Sequence, residues 1–129
     1  MDGNDARGLI LEEETYRIRG AVFHVYQTMG PGFLEAVYQE CLAIEMARRQ
    51  IPFSAQCPIR LEYDGALLQQ AYFADFLCCG SILLELKAAR VLAAEHRAQL
   101  MNYMRASKIQ LGLINFGSSP RAQIERFIL

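Results

Sequence analysis

Glu85 and Lys87 stand two apart inside Ile82-Leu83-Leu84-Glu85-Leu86-Lys87, a run otherwise built of isoleucine and leucine. A short apolar run bounded by Gly80-Ser81 reads as a strand on length and content, and alternate residues of a strand point to one face. Glu85 and Lys87 then share a face, while Ile82, Leu84 and Leu86 turn to the other. Taken alone, Glu-x-Lys is also what a solvated sheet face or a cross-strand ion pair would carry. Asp75 strengthens the chemical reading. It closes a preceding β-rich segment, Tyr72 to Leu77, and a hairpin turned at Cys78 to Ser81 brings its carboxylate beside that of Glu85. Two carboxylates brought together repel unless something positive lies between them. Their oxygens are hard ligands suited to Mg2+, which commonly takes one or two protein carboxylates and leaves the rest of its shell to water and phosphate oxygens. An ammonium beside them can orient a water or offset charge building on a phosphoryl group. The chemistry open to these three residues is metal-assisted hydrolysis of a phosphoester. Lysine is otherwise scarce, with Lys87 and Lys108 standing against eleven arginines.

Two helices should precede these strands. Ile18, Ala21, Val22, Val25 and Met29 repeat at helical spacing until Gly30-Pro31-Gly32 stops the run. A second helix is expected from about Leu34 to Gln50, with Leu34, Val37, Tyr38, Cys41 and Ile44 on its apolar face. After Pro52 the pattern becomes β-rich, and Cys57 to Tyr63 leads into Asp64-Gly65, a common hairpin signal. A third helix follows from Leu92 to Ser107, then an almost continuously apolar strand from Ile109 to Phe116. The segment Ile124 to Ile128 closes the chain as a short strand or a docked helical turn. Gly112 in an apolar strand permits close helix packing and Asn115 ends that strand; neither is assigned chemistry. The order is α-α-β-β-β-α-β-β.

A length of 129 residues with 53% hydrophobic content supports one real core and is too short for two ordinary domains. The expectation is a single domain over 1–129, with 1–11 a flexible or peripheral segment. The acidic start from Met1 to Arg7 is no secretory signal, and the apolar stretches are too interrupted for membrane insertion. A cytoplasmic setting is expected. The cysteines at 41, 57, 78 and 79 lack a C-x-x-C spacing and read as reduced thiols. A net charge of −1 does not advertise a polyanion binder. Beyond residue 87, however, Arg90, Arg97, Arg105, Lys108, Arg121 and Arg126 face only Glu95 and Glu125, so the last third is locally basic.

In this order and spacing the segments resemble the PD-(D/E)xK nuclease superfamily, and within it the small proteins named for a Gly-x-x-Glu-x-x-Tyr motif. That motif stands here as Gly32-Phe33-Leu34-Glu35-Ala36-Val37-Tyr38. Further matches are Tyr72-Phe73-Ala74-Asp75-Phe76, Leu83-Leu84-Glu85-Leu86-Lys87, His96 to Tyr103, and Gly112 to Gly117, so the resemblance runs from about Ala21 to the C-terminus. It implies a restriction-endonuclease-like α/β (α+β) core, a central mixed sheet flanked by helices. It also implies a metal held by Asp75, Glu85 and the backbone carbonyl of Leu86, with Lys87 beside the attacking water. Ala74 replaces the proline of the superfamily name.

By the same resemblance Glu35 reaches the metal site as a further ligand or a water-holding carboxylate. Its place in the first helical turn, where the dipole stabilises a carboxylate by about 0.3 to 1 kcal/mol, would account for it without function. Gln99 and Tyr103, four apart on one helix face, are implied substrate or metal-water contacts; a polar helix edge with a snorkelling tyrosine is the alternative. His96 completes such an edge, and His24 has no evident partner. The expected activity is nucleic-acid phosphodiester hydrolysis, DNA before RNA, with Mg2+ as cofactor and Mn2+ able to substitute. A nuclease-fold module that binds nucleic acid or a protein without useful turnover is the alternative. So small a chain leaves little surface for selecting a site on DNA, which points to a homodimer or a larger complex.

Overall fold

The computed structural model describes residues 3–108 and 110–127. Helix α1 (Gly3–Met29) buries Ile18, Ala21, Val22 and Val25, the residues whose spacing marks it. Its helical backbone begins at Gly3, inside the segment expected to be flexible or peripheral, of which Met1 and Asp2 lie outside the described residues. It ends where Gly30 takes a φ of 72° and its N–H donates to the Tyr26 carbonyl at 2.7 Å, a left-handed cap that glycine enters without steric cost.

Helix α2 (Glu35–Arg48) buries Tyr38, Leu42 and Met46, a stripe spaced by four. The expected apolar face is displaced from this stripe: Leu34 is the N-cap and 78% exposed, and Ile44 is 48% exposed. Apolar residues lie around much of this helix, so spacing alone does not select a face. Packing against α1 does.

Strands β1 (Phe53–Tyr63) and β2 (Ala66–Cys78) form a long hairpin. At its turn both Asp64 (φ 47°) and Gly65 (φ 81°) have positive φ, the backbone that a two-residue hairpin requires. Pro58 is tolerated within β1 because β1 is an edge strand. Strand β3 (Ile82–Lys87) pairs antiparallel with β2, and helix α3 (Ala94–Ser107) carries the chain over to β4 (Gln110–Asn115), which pairs parallel with β3. Strand β5 (Gln123–Phe127) pairs antiparallel with β4, so the last apolar segment is a strand and not a helical turn. Ile109 and Ile128, expected at strand ends, lie outside the described residues.

The result is a mixed five-stranded sheet in the order β1-β2-β3-β4-β5. Helices α1 and α2 cover one face through Val22, Tyr38, Leu42, Phe76, Leu84 and Leu86. Helix α3 covers the other through Leu100 and Met104, packed with Ile59, Ala74 and Leu83. With both faces covered, β3 is buried from Ile82 to Leu86, which is why its sequence is a continuous apolar run. Gly112 pairs with Leu84 on the neighbouring strand, and a Cβ there would meet Leu84 Cδ2 at 3.1 Å, so it makes room for that side chain, not for a helix. The four cysteines are free thiols, and burial pushes Cys78 up to about 12. Among the described residues no helix is long and apolar enough to cross a membrane.

One irregularity positions the site. Tyr72 and Ala74 pack on the α3 side, whereas Phe76 and Cys78 pack on the α1 and α2 side. Residues an even number apart should share a face, so the alternation breaks between Ala74 and Phe76. The partner strand does the same: Phe53 packs on the α1 side, and Cys57 and Ile59 on the α3 side. The hairpin crosses from one layer to the other at Asp75.

Candidate active site

The paired register of β2 and β3 runs from Cys78 and Ile82 to Phe76 and Leu84. One step further, Asp75 stands opposite Glu85. There side chains replace the ladder: the Asp75 N–H donates to Glu85 Oε1 at 3.1 Å, and the Leu86 N–H donates to Asp75 Oδ2 at 2.8 Å. Each carboxylate is thus fixed by a backbone amide of the other strand. Lys87 follows at the end of β3, its backbone carbonyl accepting the Phe116 N–H at 2.9 Å.

Burial sets the electrostatics. Glu85 is 7% exposed, and desolvation pushes its carboxyl up to about 7. The neighbouring Asp75 charge pushes the same way, while Tyr72, the Asp75 N–H and the Lys87 ammonium oppose it. Asp75 is raised too, first by burial and then by the charge of Glu35, against the Leu86 N–H, Lys87 and the Gln56 side chain. A pair of carboxylates held together above their usual range is a site short of positive charge.

Glu35 is exposed in the first turn of α2, close enough for its charge to act on Asp75. Its motif neighbours explain its position. Gly32 takes a φ of 110° in the turn before α2. The Tyr38 hydroxyl donates to the Gly30 carbonyl at 2.5 Å and accepts the Phe33 N–H at 3.2 Å. The Tyr38 ring is fully buried and stacked on Phe116 at 4.5 Å. The tyrosine therefore pins to the core the loop that delivers Glu35.

Tyr103 lies 3.9 Å from Tyr72 in a stacked pair. The Tyr72 hydroxyl is buried without a well-formed hydrogen bond among the described residues, and burial together with the neighbouring Glu85 carboxylate pushes its pKa far above the ordinary tyrosine value, so it stays protonated. Tyr103 thus reaches the carboxylates through Tyr72, whereas Gln99 is exposed on α3. His96 Nδ1 is buried with no hydrogen-bond partner among the described residues. His24 does have a neighbour, with its Nε2 at 3.8 Å from Glu45. Arg97 grips Glu125 through two hydrogen bonds of 2.8 and 2.6 Å, tying α3 to β5.

Three contributors were not legible in the sequence. Asn115 is fully buried: its Oδ1 accepts the N–H groups of Ala89 and Gly117, each at 3.0 Å, and its Nδ2 donates to the Ala89 carbonyl at 2.7 Å. Gly117 allows the close approach, since a Cβ there would lie 2.5 Å from the Ala89 backbone. This clamp fixes the chain two residues after Lys87 and does more than end a strand. Tyr72 and Gln56 are the others: Tyr72 lies in a segment matched to the superfamily but was given no role there, and Gln56 belongs to no recognisable spacing pattern.

Among the described residues no three Asp, Glu, His or Cys side chains converge as a ligand group. The donors brought together are the carboxylates of Asp75 and Glu85, with Glu35 standing back. This set fits a hard divalent cation that binds through one or two protein carboxylates and keeps several waters.

A mixed sheet between helical layers, with paired carboxylates and a lysine where β2 and β3 part, is a restriction-endonuclease-like fold. The chain matches the PD-(D/E)XK nuclease superfamily over residues 12–127 and belongs to it. No curated protein and no solved structure gives a significant match. Members of this superfamily are generally hydrolytic nucleases acting on nucleic acid, typically with divalent metals.

Proposed function

We propose that this chain hydrolyses phosphodiester bonds of nucleic acid, DNA in preference to RNA, in a Mg2+-dependent reaction in which Mn2+ can substitute. The observation carrying this reading is the reciprocal tie of Asp75 and Glu85, each held by an amide of the other strand, with Lys87 acting electrostatically on both. Asp75, Glu85 and the Leu86 carbonyl would hold the cation, with Glu35 as an added ligand or water-holding group. Bound there, the cation would polarise a phosphoryl oxygen and acidify a water. The Lys87 ammonium orients the attacking water and offsets the negative charge that grows on the phosphoryl oxygens. Tyr103, held by its stack on Tyr72, and Gln99 line the approach of the substrate. The turn geometry around Gly32, Glu35 and Tyr38 supports a place among the Gly-x-x-Glu-x-x-Tyr proteins, and the small size of the chain supports action as a homodimer or within a larger complex.

Cleavage of defined single- and double-stranded DNA and RNA by the purified protein, with Mg2+, Mn2+ or EDTA, tests the proposal. Metal-dependent cleavage lost in Asp75→Asn supports it. Tight binding of the same oligonucleotides without cleavage would replace it with a nuclease-fold binding module.

A further inference from the structure

Gln56 has a φ of 53° in the middle of β1. The other described non-glycine residues with positive φ, namely Gln50, Asp64, Cys79 and Lys108, stand at helix ends or turns, where a left-handed residue is ordinary. Inside a strand that backbone is strained for a residue with a side chain. The register of β1 and β2 pairs Ala55 with Phe76 and Cys57 with Ala74, so the intervening position, Gln56, faces Asp75. Both strands change layer at this step.

We propose that Gln56 is a positioning residue for Asp75: its left-handed backbone turns the hairpin between layers and sets its side-chain amide against the Asp75 carboxylate. Asp75 is then held from two sides, by the Leu86 N–H of β3 and the Gln56 amide of β1. The amide is one of the groups that draw the Asp75 carboxyl down against burial. It suits the task because it donates without adding a charge that would compete with a cation. Its consequence for metal and cleavage rests on the nuclease reading above, but its link to Asp75 does not. A left-handed residue needed for the turn alone would be served better by glycine, which adopts that backbone freely.

The two explanations separate in a mutant cycle on the full chain. Thermal midpoints in EDTA are measured for wild type, Gln56→Gly, Asp75→Ala and the double variant. Glycine relieves the backbone in both backgrounds, but it removes the amide contact only where Asp75 is present. Gln56→Gly should therefore raise the midpoint by a few degrees more in the Asp75→Ala background than in wild type. Equal changes in the two backgrounds would overturn the proposal. Mn2+ titration calorimetry supplies the second readout. Gln56→Gly and Gln56→Asn, which keeps a tolerated backbone but shortens the reach, should each weaken Mn2+ binding about 10-fold or more, as loss of a group orienting a metal ligand does. Wild-type Mn2+ affinity in Gln56→Gly would also overturn it. Wild-type protein that neither binds Mn2+ nor cleaves would remove the nuclease reading, while unequal midpoint changes would still uphold the link between Gln56 and Asp75.

Discussion

Replacing Glu85 by Gln should make the metal-free protein more stable at neutral pH, and the structure gives the size of the gain. Burial raises the Glu85 carboxyl from 4.5 to about 7 in the fold. A carboxyl raised by folding costs nothing below its unfolded value and progressively destabilises the native state as pH climbs through the folded one. The window runs from the ordinary glutamate range up to about 7. At roughly 1.4 kcal/mol for each unit of difference, the penalty between about pH 5 and about pH 8 is about 2 to 3 kcal/mol. For a chain of this size that lowers Tm by roughly 8 °C. Asp75 is shifted in the same direction and steepens the loss. Glu45 and Glu125 are lowered by Arg49 and Arg97, so their contributions change only at more acid pH, outside this window. The assay is a set of thermal melts in EDTA across that range for wild type and Glu85→Gln. The amide keeps an oxygen for the Asp75 N–H and cannot ionise, so the variant should lose most of the slope and melt higher than wild type at about pH 8. Excess Mg2+ should raise wild type by mass action and leave the variant nearly unmoved. Identical slopes for the two proteins in EDTA would show that Glu85 is not the group whose ionisation the fold resists.

Lys87→Met keeps the apolar stem and removes the charge; single-turnover cleavage at saturating Mg2+ should fall about 100-fold or more while oligonucleotide binding is retained. A wild-type rate would take the lysine out of the reaction. Asn115→Ala strips partners from three part-buried backbone groups of Ala89 and Gly117, and urea unfolding should register a loss of about 2 to 3 kcal/mol. Tyr38→Phe keeps the stack on Phe116 and deletes the hydrogen bonds to the Gly30 carbonyl and the Phe33 N–H. It should cost about 1 kcal/mol in urea unfolding and slow cleavage more than Leu34→Ala, which alters an exposed side chain of the same loop.

Local chemistry determined how much could be read in advance. Strand β3 was legible to the residue because a strand buried on both faces must be apolar throughout, and Glu85 and Lys87 stand out against that background. The turn at Asp64-Gly65 was legible because few residue pairs accept two positive φ angles. The face of α2 was not, since Val37, Cys41 and Ile44 are as apolar as Leu42 and Met46, and only contact with α1 decides among them. Asp75 and Glu85 could be singled out by type and spacing, and Glu35 only through the family resemblance, but the amides that hold the two strand carboxylates are backbone atoms with no letter in a sequence. Gln56 was hidden for a related reason: a strained backbone at a polar residue leaves no compositional trace.

The carboxylates of Asp75 and Glu85 take the place of a rung in the sheet, and that ties the birth of the site to the birth of the fold. Until β2 and β3 have zipped from their turn at Cys79-Gly80 as far as Phe76 and Leu84, neither carboxylate has an amide to meet. The anchor of Lys87 depends on a third strand as well, because its carbonyl accepts the N–H of Phe116, just past the end of β4 and on the far side of α3 in the chain. A nascent or partly unfolded chain therefore carries all the reactive residues and none of their arrangement.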